Sequence, residues 1–143
     1  LDACLAKAVM SIGAVKAVEI GDGCAAAGST GTENNDAFHM ENGMPGKKTN
    51  HAGGILGGMS DGSPIIVRAH IKPTPSVFSP QETINKNGEN IVVQIKGRHD
   101  PVIVPRAVVV VESMIALTLV DLLFAGIPSR MDSLRQFYGS RRE

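Results

Sequence analysis

The segment richest in chemically useful side chains is Lys96-Gly97-Arg98-His99-Asp100-Pro101, which joins a predicted hairpin to a predicted long helix. An arginine can hold a phosphate through charge-assisted hydrogen bonds, and a neighbouring His or Asp can move a proton. Pro105 suits the first turn of the helix that follows, where free backbone N–H groups attract an anion. The same residues also fit a capped helix with a surface salt bridge, and the residues alone leave both interpretations open.

A second candidate segment is Lys72-Pro73-Thr74-Pro75-Ser76. Two prolines separated by one residue force an extended backbone, which holds the Lys72 ammonium and the hydroxyls of Thr74 and Ser76 in fixed positions. Such groups can bind a phosphate or the polar edge of a ring. Taken by itself, however, the segment is more typical of a strand that ends at a proline.

The glycine run between Gly53 and Gly58 could let backbone amides approach a flat or anionic ligand. It lacks the G-x-G-x-x-G spacing, the following helix and the closing Lys-Ser or Lys-Thr of nucleotide-binding loops. Its spacing favours a tight crossing of two backbone segments. The histidines and the two cysteines lack metal-ligand spacing, and no Ser or Cys has the context of a nucleophile, so we predict neither a metal site nor a catalytic triad.

The elements that position these segments are predicted from hydrophobic periodicity and turn residues. We predict a helix capped by Asp2 and ended by Gly13, and a hairpin around Asn87-Gly88. The other predictions are strands over 14–20, 38–40 and 65–71, loops over 28–35 and 41–46, a long helix over 106–125 and a short amphipathic helix over 133–138. This order predicts an α+β fold, an antiparallel sheet layered against helices, in a single domain over residues 1–143.

The charge balance and the long apolar helix bear on which partners the protein has. Lys and Arg (14) balance Asp and Glu (14) among the 143 residues, so no net charge favours a nucleic acid or an anionic membrane as partner. The long apolar helix is long enough for a bilayer, but Glu112 and Asp121 would each cost about 2.5 to 3.5 kcal/mol at its centre. We therefore expect a core helix of a soluble protein.

Two cysteines, Cys4 and Cys24, are too few for a disulfide framework, which indicates the cytoplasm and reduced thiols. We expect no signal peptide, because Lys7 and Glu19 interrupt the opening. The opening without a Met suggests a chain cut from a longer one.

Four motifs in this order resemble chorismate synthase: VKAVEIGDG (15–23), TNHAGGILGG (49–58), KPTPS (72–76) and GRHDP (97–101). VPRAV (104–108) and ESM (112–114) add to the resemblance. It implies conversion of 5-enolpyruvylshikimate 3-phosphate to chorismate and phosphate in the shikimate pathway, with reduced FMN and no net redox change. It also implies helices between antiparallel sheets, a link to NADP, a homotetramer in the cytoplasm, and the C-terminal part of a longer enzyme.

The resemblance assigns roles to matching positions. Asp100 corresponds to an acidic residue that relays the proton lost from the substrate, Arg98 also touches the substrate phosphate, and His99 is structural. The residues expected to contact FMN are Gly13, Ala14, Gly57, Lys72, Pro73, Thr74, Pro75, Ser76 and Arg98.

Some of this chain departs from the family pattern. Val102, Val109 and Cys24 stand where the family usually has Cys, Pro and an aromatic residue, which changes packing and no charged group. The family's N-terminal Gly-Glu-Ser-His-Gly motif and arginine-rich segment, which bring acid histidines and most phosphate contacts, are not in this sequence. We therefore expect the chain to be inactive without that N-terminal half. The alternative is a non-catalytic module that binds flavin or serves assembly.

Overall fold

The computed structural model describes residues 1–98 and 101–139, which form three α-helices, one 3₁₀ helix and eight short strands. The helices are α1 (Asp2–Met10), α2 (Val104–Gly126) and α3 (Met131–Gly139), and the 3₁₀ helix is Gly23–Gly28. The strands are β1 (Val15–Ile20), β2 (Phe38–Glu41), β3 (Met44–Lys47), β4 (Ile55–Leu56), β5 (Met59–Ser60), β6 (Val67–Ile71), β7 (Gln81–Ile84) and β8 (Asn90–Val93).

Within the described residues, the strands form four two-stranded antiparallel sheets: β1–β6, β2–β3, β4–β5 and β7–β8. The β1–β6 pair joins distant parts of the chain, with Val15 opposite Ile71 and Ile20 opposite Val67. Helix α1 packs against both α2 and β1. This confirms the predicted α+β class, in which helices lie against antiparallel strands.

The core is small and centres on α1. Leu5 and Val9, one turn apart on the same face of α1, are fully buried, and Val15 of β1 and Ile55 of β4 are nearly so. Residues four apart lie on one face of a helix, so this pair faces the sheet and α2 together. Burial of each such side chain stabilises the fold by roughly 1.5 to 3 kcal/mol.

Helix α2 has none of its side chains buried. The sequence indicated a core helix, but the described residues of this chain cover α2 only in part, leaving Val111, Ile115 and Leu119 half-buried. Its length and composition would also let it cross a membrane. Glu112 and Asp121 both lie exposed on it.

Several local predictions need correction. Asp2 is the first helical residue and not the cap, because Leu1 occupies the cap position. The predicted loop over 41–46 is the β2–β3 hairpin, whose turn residues Asn42 and Gly43 both have positive φ (52° and 79°). Two turn residues with positive φ form the tight turn whose twist matches that of the flanking strands, and Asn-Gly is the dipeptide that favours it. The sequence therefore already contained the signal for this hairpin.

Other predictions are confirmed with small shifts in their ends. The Asn87-Gly88 hairpin forms, with a loop over 85–89 closed by hydrogen bonds between Asn85 and Glu89 and between Gly88 and Asn85. Helix α2 starts two residues before the predicted 106 and has Pro105 in its first turn. The last helix is longer than predicted and covers Met131–Gly139.

Candidate functional site

A cavity of about 350 Å³ lies between the loop that leaves β6, the start of β1 and the start of α2. This volume falls at the lower end of the range typical of small-molecule sites. The predicted cofactor residues that line it are Ala14, Lys72, Pro73, Thr74 and Pro75. The fold therefore brings Ala14 together with the proline segment 72–76, although 57 residues lie between Ala14 and Lys72 in the chain.

Backbone pairing holds these two segments against each other. The N–H of Lys72 donates to the carbonyl of Ala14 at 2.7 Å, which extends the β1–β6 ladder by one bond. Ala14 has φ of 70°, a left-handed conformation that costs a residue with a Cβ roughly 1 to 2 kcal/mol. A strained residue at the wall of a cavity is typical of functional sites, where the surrounding structure holds the conformation.

Thr74 is a polar residue of this lining. Its Oγ1 is buried, and no hydrogen bond to it is found within the described part of the chain. Buried hydroxyls are nearly always hydrogen-bonded in folded proteins, since leaving one unpaired costs about 1 to 3 kcal/mol. A ligand with a phosphate or polar ring edge would satisfy it. The residues present therefore fit a phosphorylated, aromatic cofactor such as FMN.

Two lining residues, Lys16 and Ile103, were missed at the sequence level. Lys16 lies inside the motif 15–23, but a single lysine in a strand carries no signal of its own. Ile103 is the cap residue of α2, whose first turn contains no acidic side chain. Together with Lys72, Lys16 makes the lining cationic, and the described residues that line it include no carboxylate.

Of the remaining predicted residues, those that the structure describes do not line this cavity. Gly13 precedes Ala14 and is exposed, and Gly57 forms the turn between β4 and β5 with φ of 56°. Ser76 is half-buried beyond the prolines, and Arg98 is exposed. Asp100 lies outside the described residues, so its role as a proton relay stays a prediction, as does the structural role of His99.

The glycine run is explained by a backbone crossing, as its spacing indicated. A Cβ added to Gly53 would lie 2.3 Å from the backbone nitrogen of Gly21, and one added to Gly54 would lie 2.6 Å from the carbonyl oxygen of Pro64. Both glycines have positive φ (64° and 78°). The first half of the run therefore serves the crossing, while Gly57 and Gly58 form a hairpin turn.

A polar network fixes the chain just before this crossing. The Asp36 carboxylate accepts hydrogen bonds from the N–H groups of His51 and Ala52 at 2.8 and 2.9 Å and from the Thr49 hydroxyl at 2.8 Å. Burial acts to raise the pKa of Asp36, but these bonds outweigh it, and the pKa is lowered overall. His51 Nδ1 also lies 2.6 Å from Asp22 Oδ2, which ties the network to the end of β1.

Cys24 does not have the surroundings of a nucleophile. A hydrogen bond with the Glu19 carboxylate raises the pKa of its thiol, and Glu19 also faces His70 Nε2 at 3.3 Å. A raised pKa keeps the thiol protonated and unreactive at neutral pH. The histidine and carboxylate at this position thus stabilise β1 and β6 rather than activate the cysteine.

A larger groove of about 580 Å³ runs along the β7–β8 hairpin. No predicted site residue within 1–98 or 101–139 lies in it, and it is lined by strand residues such as Glu82, Ile84 and Val92. We place the candidate site in the smaller cavity because it combines two lysines, an unpaired buried hydroxyl and a strained backbone.

Comparisons with known proteins agree on one family. The family model described as "Chorismate synthase" matches residues 1–124. The chain is 65% identical over 138 residues to the chorismate synthase of Lachnospira eligens, covering 96% of this chain and 38% of that protein. It is 58% identical over 127 residues to the chorismate synthase of Methanocella arvoryzae, covering 88% and 34%.

A solved structure shows the same fold. A crystal structure of chorismate synthase superposes with a TM-score of 0.68 at 31% sequence identity, covering 98% of this chain and 35% of that one. The chain thus spans a little over a third of the length of the relatives that it matches.

Proposed function

Since this chain belongs to the chorismate synthase family, we propose that it supplies part of the flavin site of an enzyme that eliminates phosphate from 5-enolpyruvylshikimate 3-phosphate to give chorismate. The reaction class is that of a carbon–oxygen lyase acting on a phosphate ester. The proposal assigns reduced FMN to the cavity lined by Ala14, Lys72 and Thr74. A homotetramer, NADP and a cytoplasmic location are proposed from kinship alone.

The observation that carries the proposal is the cavity itself. It collects five residues that the resemblance had assigned to the cofactor, and they come from two segments far apart in sequence. A buried hydroxyl with no partner in the described part of the chain, a cationic lining and extended proline backbone suit the binding of a phosphorylated ring. The β1–β6 pairing and the hydrogen bond from the Lys72 N–H to the Ala14 carbonyl hold the two segments together.

In the proposed reaction, the residues of this chain bind and orient the ligand. The Lys72 ammonium offsets negative charge on the ligand, the Thr74 hydroxyl gives it a hydrogen bond, and Pro73 and Pro75 keep both groups in place. When bound, reduced FMN supplies electron density and a basic nitrogen for the loss of a carbon-bound proton, which a carboxylate of pKa near 4 cannot achieve alone. Asp100 is proposed to relay that proton onward.

We propose that this chain alone is inactive. The family's acid histidines and most of its phosphate contacts belong to segments that this sequence does not contain. Positioning of the reacting groups contributes roughly 7 to 11 kcal/mol to catalysis, and half a substrate site cannot provide it.

Flavin binding tests the cofactor assignment. We expect calorimetry under anaerobic conditions to show that the chain binds reduced FMN, and that Lys72→Met weakens this binding about tenfold or more, as loss of a charge-assisted hydrogen bond predicts. Lys86→Met, in the loop of the β7–β8 hairpin and not in the lining of this cavity, is the matched control and leaves the affinity unchanged. Equal affinities for both variants, or no flavin binding at all, contradict the assignment.

An activity assay separates the enzyme segment from the alternative of a non-catalytic module. We expect no chorismate from the chain with reduced FMN and 5-enolpyruvylshikimate 3-phosphate, and formation of chorismate once the N-terminal part of a family member is supplied. Flavin binding without such complementation favours the binding or assembly module. Chorismate formation by the chain alone overturns the proposed inactivity.

A further inference from the structure

We infer that Lys16 is a second anion-binding residue of this cavity, where it binds a phosphate monoester beside Lys72. The inference rests on the proposed flavin site, because it assigns the phosphate of the bound flavin to the cavity wall that contains Lys16. Lys16 is not among the residues that the family motif led us to assign. Its position in the structure is the reason for the assignment.

The first observation is a β-bulge at Lys16. Val15 pairs with Ile71 and Ala17 pairs with His70, so two steps along β1 match one step along β6. Lys16 is therefore the extra residue. Lys16 and Ala17 are both exposed, whereas the regular alternation of a strand would place their side chains on opposite faces. A bulge redirects the side chain of the extra residue, and bulges are common next to active sites for this reason.

The second observation is what the redirected side chain meets. Lys16 shares the lining of the 350 Å³ cavity with Lys72 and Thr74. No ion pair of Lys16 or Lys72 is found among the described residues, and no carboxylate is in the described lining. Both lysines are exposed, and an anion in the cavity would offset the repulsion between their ammonium groups when both reach it. Because a phosphate monoester carries about two negative charges near neutral pH, it matches this pair.

The third observation is the adjacent end of α2. Ile103, its cap residue, also lines the cavity, and the first turn of this 23-residue helix has no acidic side chain. The positive end of the helix dipole thus adds to the charge of the two lysines. Because Lys16 and this helix end line the same cavity, both can act on one bound anion.

The test compares FMN with riboflavin, which has the same ring and no phosphate. We expect Lys16→Met to weaken FMN binding about tenfold or more while leaving riboflavin binding unchanged, and Lys16→Arg to restore most of the FMN affinity. Lys86→Met is again the control. Equal weakening of FMN and riboflavin by Lys16→Met overturns the phosphate assignment.

A second measurement decides the inference without any flavin. In an NMR titration with inorganic phosphate, we expect the signals of Lys16 and Lys72 to shift, and the shift to disappear in Lys16→Met. If the wild-type chain binds phosphate through Lys16 but binds neither FMN nor riboflavin, the proposed function fails while the assignment of Lys16 holds. A phosphate response with FMN affinity unchanged in Lys16→Met assigns the residue to the substrate phosphate. No phosphate response and no FMN effect overturn the inference.

Discussion

Gly21 and Gly53 show how strongly single residues constrain this fold. Their backbones cross so closely that a Cβ on Gly21 would lie 2.1 Å from the carbonyl oxygen of His51, and one on Gly53 would lie 2.3 Å from Gly21 nitrogen. These neighbours are backbone atoms, which cannot move aside as a side chain can. The positive φ of both residues (59° and 64°) adds a cost for any residue with a Cβ.

We therefore expect Gly53→Ala to lower the free energy of unfolding by about 2 kcal/mol or more, since both a backbone clash and a left-handed φ are involved. Denaturant titration followed by circular dichroism measures this change. Gly31→Ala is the control: an added Cβ there meets no atom within 4 Å, and we expect a change within about 0.5 kcal/mol. Similar values for the two variants would show that the crossing tolerates a side chain.

Two hairpins are joined by one ion pair. Lys47 at the end of β3 pairs with Asp61, which follows β5, and the side chains are 4% and 9% exposed. The Lys47 ammonium also lies 5.5 Å from the centre of the Phe38 ring in β2. Two-stranded hairpins are marginally stable by themselves, so a contact between them stabilises both.

The pair makes the fold sensitive to acid in a defined range. The hydrogen bond from Lys47, followed by that from the Ser63 N–H, lowers the pKa of Asp61 from 3.8 to about 2. A lowered folded-state pKa contributes stability that is complete above the unfolded value and is lost as pH falls from about 4 to about 2. We expect the free energy of unfolding to decrease across that interval.

Comparison with Asp61→Asn isolates the contribution of this carboxylate. The variant should be less stable at neutral pH, and its stability should depend less on pH between about 4 and about 2 than that of the wild type. Asp132→Asn, on the exposed side chain of α3, serves as the control and should retain the wild-type pH profile. An Asp61→Asn profile parallel to the wild type would contradict the assignment.

For the molecule as a whole, the exposed apolar surface of α2 is the dominant feature. Leu117 and Phe124, two turns apart on one face of the helix, are 65% and 66% exposed, and Val110 and Val120 lie on the same side. Isolated soluble chains rarely expose apolar patches of this extent unless another surface covers them. Because relatives are more than twice as long as this chain, their additional residues are available to provide such a surface.

In the absence of those residues, we expect the chain to self-associate through this helix face. Sedimentation velocity over a concentration series should show oligomers, and the double variant Leu117→Glu with Phe124→Glu should shift the chain toward monomer. Met40→Glu with Met44→Glu adds the same charges at two residues that are each 68% exposed on the β2–β3 hairpin. An equal effect of both double variants, or a monomeric wild type, would rule out α2 as the contact.

Much of the local structure could be predicted from the sequence because its determinants are local. Asn87-Gly88 predicts its hairpin, since the turn requires residues that accept positive φ. The apolar run that ends at Gly126 predicts α2, and Pro105 marks its first turn. The order of the motifs, 15–23, 49–58, 72–76 and 97–101, was sufficient to identify the family.

What the sequence did not determine is how distant segments meet. The bulge at Lys16 exists only because β1 pairs with β6, and neither strand by itself indicates it. The unpaired Thr74 hydroxyl, the Gly21–Gly53 crossing and the exposure of α2 likewise depend on which residues lie nearby in space. Turn and helix signals act over a few residues, whereas a cavity wall depends on contacts between residues tens of positions apart, and only the tertiary structure decides those.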